Sequence, residues 1–193
     1  MCGILGMIGD IENQYFDDCL NLLEHRGPDA CGKVHQGIFH LGHRRLSIID
    51  ISSASNQPIF SADGRYCIIY NGEIYNFLEI KSLLSDCGYH FFTDGDTEVV
   101  LNAFIEWGPS CLEKFNGMFA FSITDFVTKE TFLARDRLGI KPLYYYKKGN
   151  NFYYSSEPKG IVHLSKSKFK LDLESVCSYL YFRYPVNNSS FFE

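Results

Sequence analysis

Residues 66–107 read YCIIYNGEIYNFLEIKSLLSDCGYHFFTDGDTEVVLNAFIEW, and the succession of patterns in this stretch decides the fold. Residues 66–70 form a short apolar run of the kind that builds a strand. Over 77–87 the apolar residues fall at 77, 78, 80, 83, 84 and 87, which is the spacing of a helix with one buried face. A second helical pattern runs over 98–107, with Asp96 or Thr97 placed to cap it. Outward from this centre, strand signals dominate on both sides. They cover 3–8 and 37–49 before it, and 118–124, 130–134, 143–146 and 151–155 after it. Two more helical patterns lie at 16–23 and 173–181. Central helices flanked by runs of hairpin-like strands predict an α+β fold, with sheets packed together and covered by helices.

The bulk numbers bound the rest. A chain of 193 residues with 46% hydrophobic content suits one well-packed domain. Its 17 Phe and 13 Tyr predict a core rich in aromatic rings. A net charge of −5 without a basic stripe points away from nucleic-acid and anionic-membrane partners. The start, MCGILGMIGD, lacks the basic flank and the length of a secretory signal, and no apolar stretch reaches the roughly 18–20 residues of a membrane span. Seven cysteines, widely spaced and without a CxxC pair, argue against a disulfide framework and a zinc site and for a reducing, cytoplasmic setting. There is no Walker-type phosphate loop, and no carboxylate or histidine group has metal-ligand spacing.

Several segments carry residues with chemical potential. Once Met1 is removed, Cys2 holds a thiol and a free α-amine on one residue. With a pKa near ~8 the amine is partly neutral at pH 7 and can take the thiol proton. Alternatively, Cys2 is a small residue opening a strand. Asn71-Gly72 is either the turn of a hairpin or a pair of donors, the Asn71 amide and the Gly72 N–H, converging on an oxyanion. Arg44 and Arg45 lie in an alternating stretch that sends them to opposite faces. One therefore points inward and needs an anion, either a structural carboxylate or that of a substrate. Asp96 either caps its helix or binds a substrate ammonium. HRGPD (25–29) is a turn by composition, and RDRLGIKPLYY (135–145) is a charged loop entering a strand.

Taken in order, MCGI at the start, HRGPD, HRRLSIID, YNGEIYN, GDTEVV, NGMFAF, RDRLGIKPLYY and SSEPKG resemble the class II glutamine amidotransferases, from Met1 to about Tyr184. HRRLSIID places the resemblance in the asparagine-synthetase branch and apart from the sugar-phosphate and phosphoribosyl branches. The resemblance implies the four-layer αββα sandwich of N-terminal-nucleophile hydrolases and hydrolysis of glutamine to glutamate and ammonia. It implies Cys2 as the nucleophile, with Asn71 and the N–H of Gly72 as the oxyanion hole. Arg45 falls where the family binds the substrate α-carboxylate and Asp96 where it binds the α-ammonium, with Glu73 in the same pocket wall.

Two departures stand out. Pro158 replaces the usual aliphatic residue of the SSE-x-K segment, a change that suits the first turn of a helix. The family's SGGxDS loop is absent from this sequence, so no cofactor is expected in this chain, and ATP and magnesium would belong to a partner synthetase domain. Residues 2–184 are then expected to form the glutaminase domain, and 185–193 the start of its connection to that domain. Two other readings are a non-catalytic remnant or interaction module, and a domain feeding ammonia to a different acceptor.

Overall fold

The computed structural model describes residues 1–48, 50–184 and 190–192. Nine strands form two antiparallel sheets. The first has the order β2-β3-β1-β9-β8, built from β1 (Gly3–Ile8), β2 (Ala30–Gln36), β3 (Phe39–Arg45), β8 (Tyr144–Lys148) and β9 (Asn151–Ser155). The second has the order β4-β5-β6-β7, from β4 (Ile59–Phe60), β5 (Tyr66–Ile74), β6 (Gly117–Asp125) and β7 (Glu130–Arg135). Helices α1 (Asn13–Asn21) and α4 (Pro158–Ser165) cover the first sheet, and α2 (Phe77–Asp86) and α3 (Asp96–Trp107) cover the second. A fifth helix, α5 (Leu173–Phe182), follows. This is the αββα sandwich that the sequence resemblance implies. Among the described residues no helix is long and apolar enough to cross a membrane.

The period-2 alternation of strand side chains sorts each strand's residues between layers. On β1, Leu5 and Met7 meet Phe16, Leu20 and Leu23 from the α1 region and Ile161 and Leu164 of α4. Ile4 turns the other way, into the gap between the sheets, with Leu41, Cys67, Ile69 and Tyr154. On β5, Ile68, Tyr70 and Ile74 pack on Ile80 and Leu84 of α2 and Val99 and Val100 of α3. Tyr154 of β9 is the register partner of Gly6 within the first sheet, and its ring lies over that glycine, where a Cβ would stand 1.9 Å from it. The Tyr154 hydroxyl spans the gap and donates to Ser122 Oγ on β6 at 3.0 Å.

His43 ties the sheets at a second point. It is fully buried on β3, opposite Ile4 of β1, and its Nε2 lies 3.0 Å from the Tyr70 carbonyl on β5. As the only hydrogen there, a proton on Nε2 makes the ring a neutral donor. Burial pushes its pKa down to about 4. An unfolded His43 takes up its proton near pH 6.5 and the folded one only near 4, so falling pH favours the unfolded chain across that window. Stability should therefore drop by on the order of 3 kcal/mol from this residue between those limits and change no further below them. Urea melts across pH 4–7 on the parent chain and on His43→Gln should differ by that slope, and parallel profiles would remove His43 as its source.

The structure departs from the sequence reading in particular places. The strand expected over 66–70 runs on to Ile74, with Asn71 paired to Ala120 and Gly72 to Phe119 of β6, so Asn-Gly here is not a hairpin turn. The strand expected over 37–49 ends at Arg45. Beyond it Ser47 donates its N–H to Asp29 at 2.8 Å, and Ile49 lies outside the described residues. β2 and β4 complete the layers without having been expected as elements, and of α4 only the helix start at Pro158 was expected. Pro158 occupies the first turn of α4, the place its ring geometry suits. Of the expected connection at 185–193, positions 185–189 and 193 lie outside the described residues. Phe192 forms an isolated bridge with Leu171.

Candidate active site

The alternation that builds the core also assembles the site. Along β1, the parity that sends Ile4 into the gap places Cys2 at the head of the same row. Along β3, Leu41, His43 and Arg45 share one face, while Gly42 and Arg44 face α1, where Arg44 donates to Asn21 Oδ1. Along β5, Cys67, Ile69 and Asn71 share the gap-facing side. Cys2, Arg45 and Asn71 thus converge from three strands and two sheets. They line one cleft of about 90 Å³ with Leu46, Asp50, Gln57, Tyr70, Gly72, Asp96 and Lys141 among its walls.

Cys2 is held by its backbone and its sulfur. Arg26 Nε donates to the Cys2 carbonyl at 3.0 Å, and Arg26 Nη1 to Glu157 at 3.0 Å. The Leu46 N–H donates to Cys2 Sγ at 3.4 Å. Burial pushes the thiol up, while the Leu46 amide and the positive charges of the chain terminus, Arg45 and Lys141 pull it back. Met1 is exposed at the mouth of the cleft, so its removal frees the Cys2 nitrogen without unpacking any core residue.

Asn71 is 1% exposed, yet among the described residues its side-chain Nδ2 has no hydrogen-bond partner. A buried amide donor left unmade costs about 1–3 kcal/mol, and here it faces the wall of the cleft that Cys2 also lines. Gly72 follows it in the strand. A Cβ there would stand 2.6 Å from the Met118 carbonyl oxygen, so only glycine fits, and its register partner Phe119 gives its own N–H and carbonyl to Asp136 rather than to Gly72.

At the head of the cleft two opposite charges stand uncompensated. Arg45 is 7% exposed, and its guanidinium donates to the carbonyls of Ser52 (2.7 Å) and Asp50 and to Asn56 Oδ1 (2.7 Å). All are neutral acceptors, and among the described residues Arg45 has no carboxylate ion pair. Asp96 opens α3 behind the N-cap residue Gly95. Its Oδ2 accepts from the Tyr70 hydroxyl at 2.6 Å and the Ile74 N–H at 2.9 Å. Burial raises its pKa against those two bonds, with the negative charge of Glu73 adding to the rise. Both groups have unmet demand for an opposite charge. Glu73 is half-buried on β5 beside Gly72 and does not line the cleft.

Other contributors escaped the sequence reading. Gln57 fastens the strand that carries Asn71, accepting from Tyr70 N–H at 2.6 Å and donating to Thr97 at 3.2 Å. Arg26 and Glu157 hold Cys2, although HRGPD reads as a turn and SSEPKG as a helix start. Lone charged residues in such segments give no local signal of a partner more than a hundred residues away. For Arg26 and Glu157 the pairing spans 131 positions.

A family model described as "Glutamine amidotransferase domain" matches residues 1–193. The chain is 37% identical over 178 residues to "Asparagine synthetase [glutamine-hydrolyzing] 3" of Bacillus subtilis, covering 89% of this chain and 29% of that protein. It is 42% identical over 154 residues to a putative glutamine-hydrolysing asparagine synthetase of Mycobacterium tuberculosis, covering 75% of this chain and 24% of that one. The chain therefore spans less than a third of the length of these two relatives. In fold it is similar to the glutamine phosphoribosylpyrophosphate amidotransferase of B. subtilis. The TM-score is 0.74 at 23% identity, over 85% of this chain and 44% of that one. With the family match running the full length and the sandwich fold in agreement, the chain belongs to the glutamine amidotransferase domain family.

Proposed function

We propose that this domain hydrolyses glutamine to glutamate and ammonia through Cys2, and that the ammonia serves an ATP-dependent amidation of the asparagine-synthetase type on a separate acceptor domain. The observation that carries the reading is the unpartnered Asn71 amide in a cleft shared by the Cys2 thiol, an unpaired cation and an unpaired anion. A free amino acid has the matching charges. Its carboxylate suits Arg45 in a bidentate fork, its ammonium suits Asp96, and the side-chain amide then extends towards Cys2.

The proton bookkeeping closes within the chain. With Met1 gone, the α-amine of Cys2 takes the thiol proton as sulfur attacks the amide carbon, and the carbonyl oxygen becomes an oxyanion received by Asn71 Nδ2 and Gly72 N–H. Collapse of this intermediate breaks the C–N bond, and the proton held by the amine leaves with ammonia. Water then attacks the thioester with the same amine as base, releasing glutamate and restoring the thiol. Seven free cysteines suit a reducing, cytoplasmic compartment for this chemistry.

The test is release of ammonia and glutamate in equal amounts from glutamine, by protein whose intact mass shows that Met1 is gone. No release from folded, processed protein, alone or with an asparagine-synthetase acceptor domain added, would sink the reading. Arg45→Ala should raise KM by about 10–100-fold while lowering kcat less, because a charge-assisted contact to the α-carboxylate is the same in ground and transition states. Initial rates over a range of glutamine concentrations check this, with a thermal melt to confirm that the 50–56 loop survives loss of its anchor. Unchanged kinetics would remove Arg45 from substrate binding.

A further inference from the structure

Lys141 has no role in the steps above, yet the fold holds it with care. It is 7% exposed and lines the same cleft as Cys2. Lysine is rarely buried unless paired. Among the described residues, however, no carboxylate forms an ion pair with its ammonium.

The loop that carries it is fixed from both ends. The Asp136 carboxylate accepts from the N–H groups of Ile140 (2.9 Å), Lys141 (2.9 Å) and Phe119 (3.2 Å). These bonds hold the Asp136 carboxyl below its usual range despite the opposing effect of burial. Its acceptor capacity goes to backbone amides, so Asp136 shapes the loop without neutralising Lys141. Arg135 clasps the same loop through the carbonyls of Lys141 (2.8 Å) and Gly139. Phe119 is the register partner of Gly72, so the loop is tied through β6 to the strand that carries the oxyanion donors.

We propose that Lys141 supplies a second positive charge at the reacting end of the cleft, there to stabilise the negative charge that develops on Cys2 sulfur and on the attacked amide oxygen. This rests on the glutaminase reading and adds a residue to it. Arg45 is the other cation of the cleft, and its three neutral acceptors fix it against the 50–56 loop. Lys141 lines the same cleft from the loop that joins β7 to β8, and its positive charge pulls the Cys2 thiol down. The charged and titratable groups around Cys2 are Arg45 on β3, Arg26 on its carbonyl, Tyr70 on β5, Asp96 at the head of α3, Asp50 in the loop after β3, and the chain's α-amine. With Lys141 added, the amines at the cleft are Lys141 and the α-amine, and only Lys141 can be replaced without touching the nucleophile itself.

The experiment uses processed protein and the Lys141→Met and Lys141→Arg variants, folding being checked by circular dichroism. Alkylation of Cys2 by iodoacetamide is followed against pH by peptide mass, which separates it from the exposed thiols of Cys31, Cys87 and Cys177. Lys141→Met should move the midpoint of Cys2 alkylation up by about one pH unit, because a neighbouring cation favours the thiolate. It should lower kcat for glutamine by about tenfold with KM within about threefold, the pattern of an interaction made chiefly in the transition state. Lys141→Arg should restore both, and Lys141→Gln replaces Lys141→Met if that variant does not fold. An unmoved midpoint, or an unchanged kcat, overturns the assignment. Should the parent chain release no ammonia, the glutaminase reading fails by itself, and the alkylation midpoint alone still decides the role of Lys141.

Discussion

Cys2→Ala should abolish glutamine hydrolysis, lowering kcat by on the order of 10⁴-fold or more, while leaving the melting temperature nearly unchanged. Cys2 heads β1 but belongs to none of the three buried clusters, and it is only half-buried. Losing its sulfur removes a weak acceptor of the Leu46 N–H and a weak donor to the Leu46 carbonyl, and no core contact. Protein that retains Met1 should be as inactive as the variant, because the Cys2 nitrogen is then an amide and no base. The two forms are separated by intact mass and assayed side by side for ammonia. Residual hydrolysis within about a hundredfold of the parent chain in Cys2→Ala would place the nucleophile elsewhere.

Asn71→Ala should show the reverse of the usual relation between stability and rate. The strand that carries Asn71 keeps its backbone pairing with Ala120, so the variant should fold normally. Deleting a buried donor that has no partner relieves a desolvation cost, and the melting temperature should hold or rise. The same deletion removes a hydrogen bond formed only as the carbonyl oxygen becomes anionic, which should cost about 10²–10³ in kcat, roughly 3–4 kcal/mol. KM should change little. A thermal melt and a kinetic titration on one preparation are sufficient. A loss of stability with a small loss of rate would make Asn71 a structural residue.

The layers were legible because a strand or helix with one buried face writes its period into the sequence. β1 coincides with the expected strand at 3–8, and α2 and α3 with their apolar repeats. β2 was not legible: ACGKVHQ mixes exposed and half-buried positions because it is an edge strand, paired on one side only. β4 has two residues, too few to carry a period. The Asn-Gly of β5 misleads when taken alone, since its turn preference is a local property and the pairing of Asn71 and Gly72 with β6 is not. Alternation correctly separated Arg44 from Arg45, although both are buried, each against a different layer. Cys2, Arg45, Asn71, Gly72 and Asp96 were nameable from motifs and do meet at one cleft, whereas Glu73 stands beside it. Gln57 and Lys141 were not nameable, because what distinguishes them is a contact or a lack of one across the fold.

The gap between the sheets, spanned by the Tyr154–Ser122 contact while the Tyr154 ring lies over Gly6 in its own sheet, makes the molecule a calliper. The sulfur is mounted on one jaw and the Asn71 amide on the other, so the distance between them is the sheet spacing itself. Turnover should then respond to anything that changes that spacing, including hydrostatic pressure and the trimming of Ile69 or Leu41 well away from the cleft. In this architecture the rate constant is a length measurement, and the interior packing sets its scale.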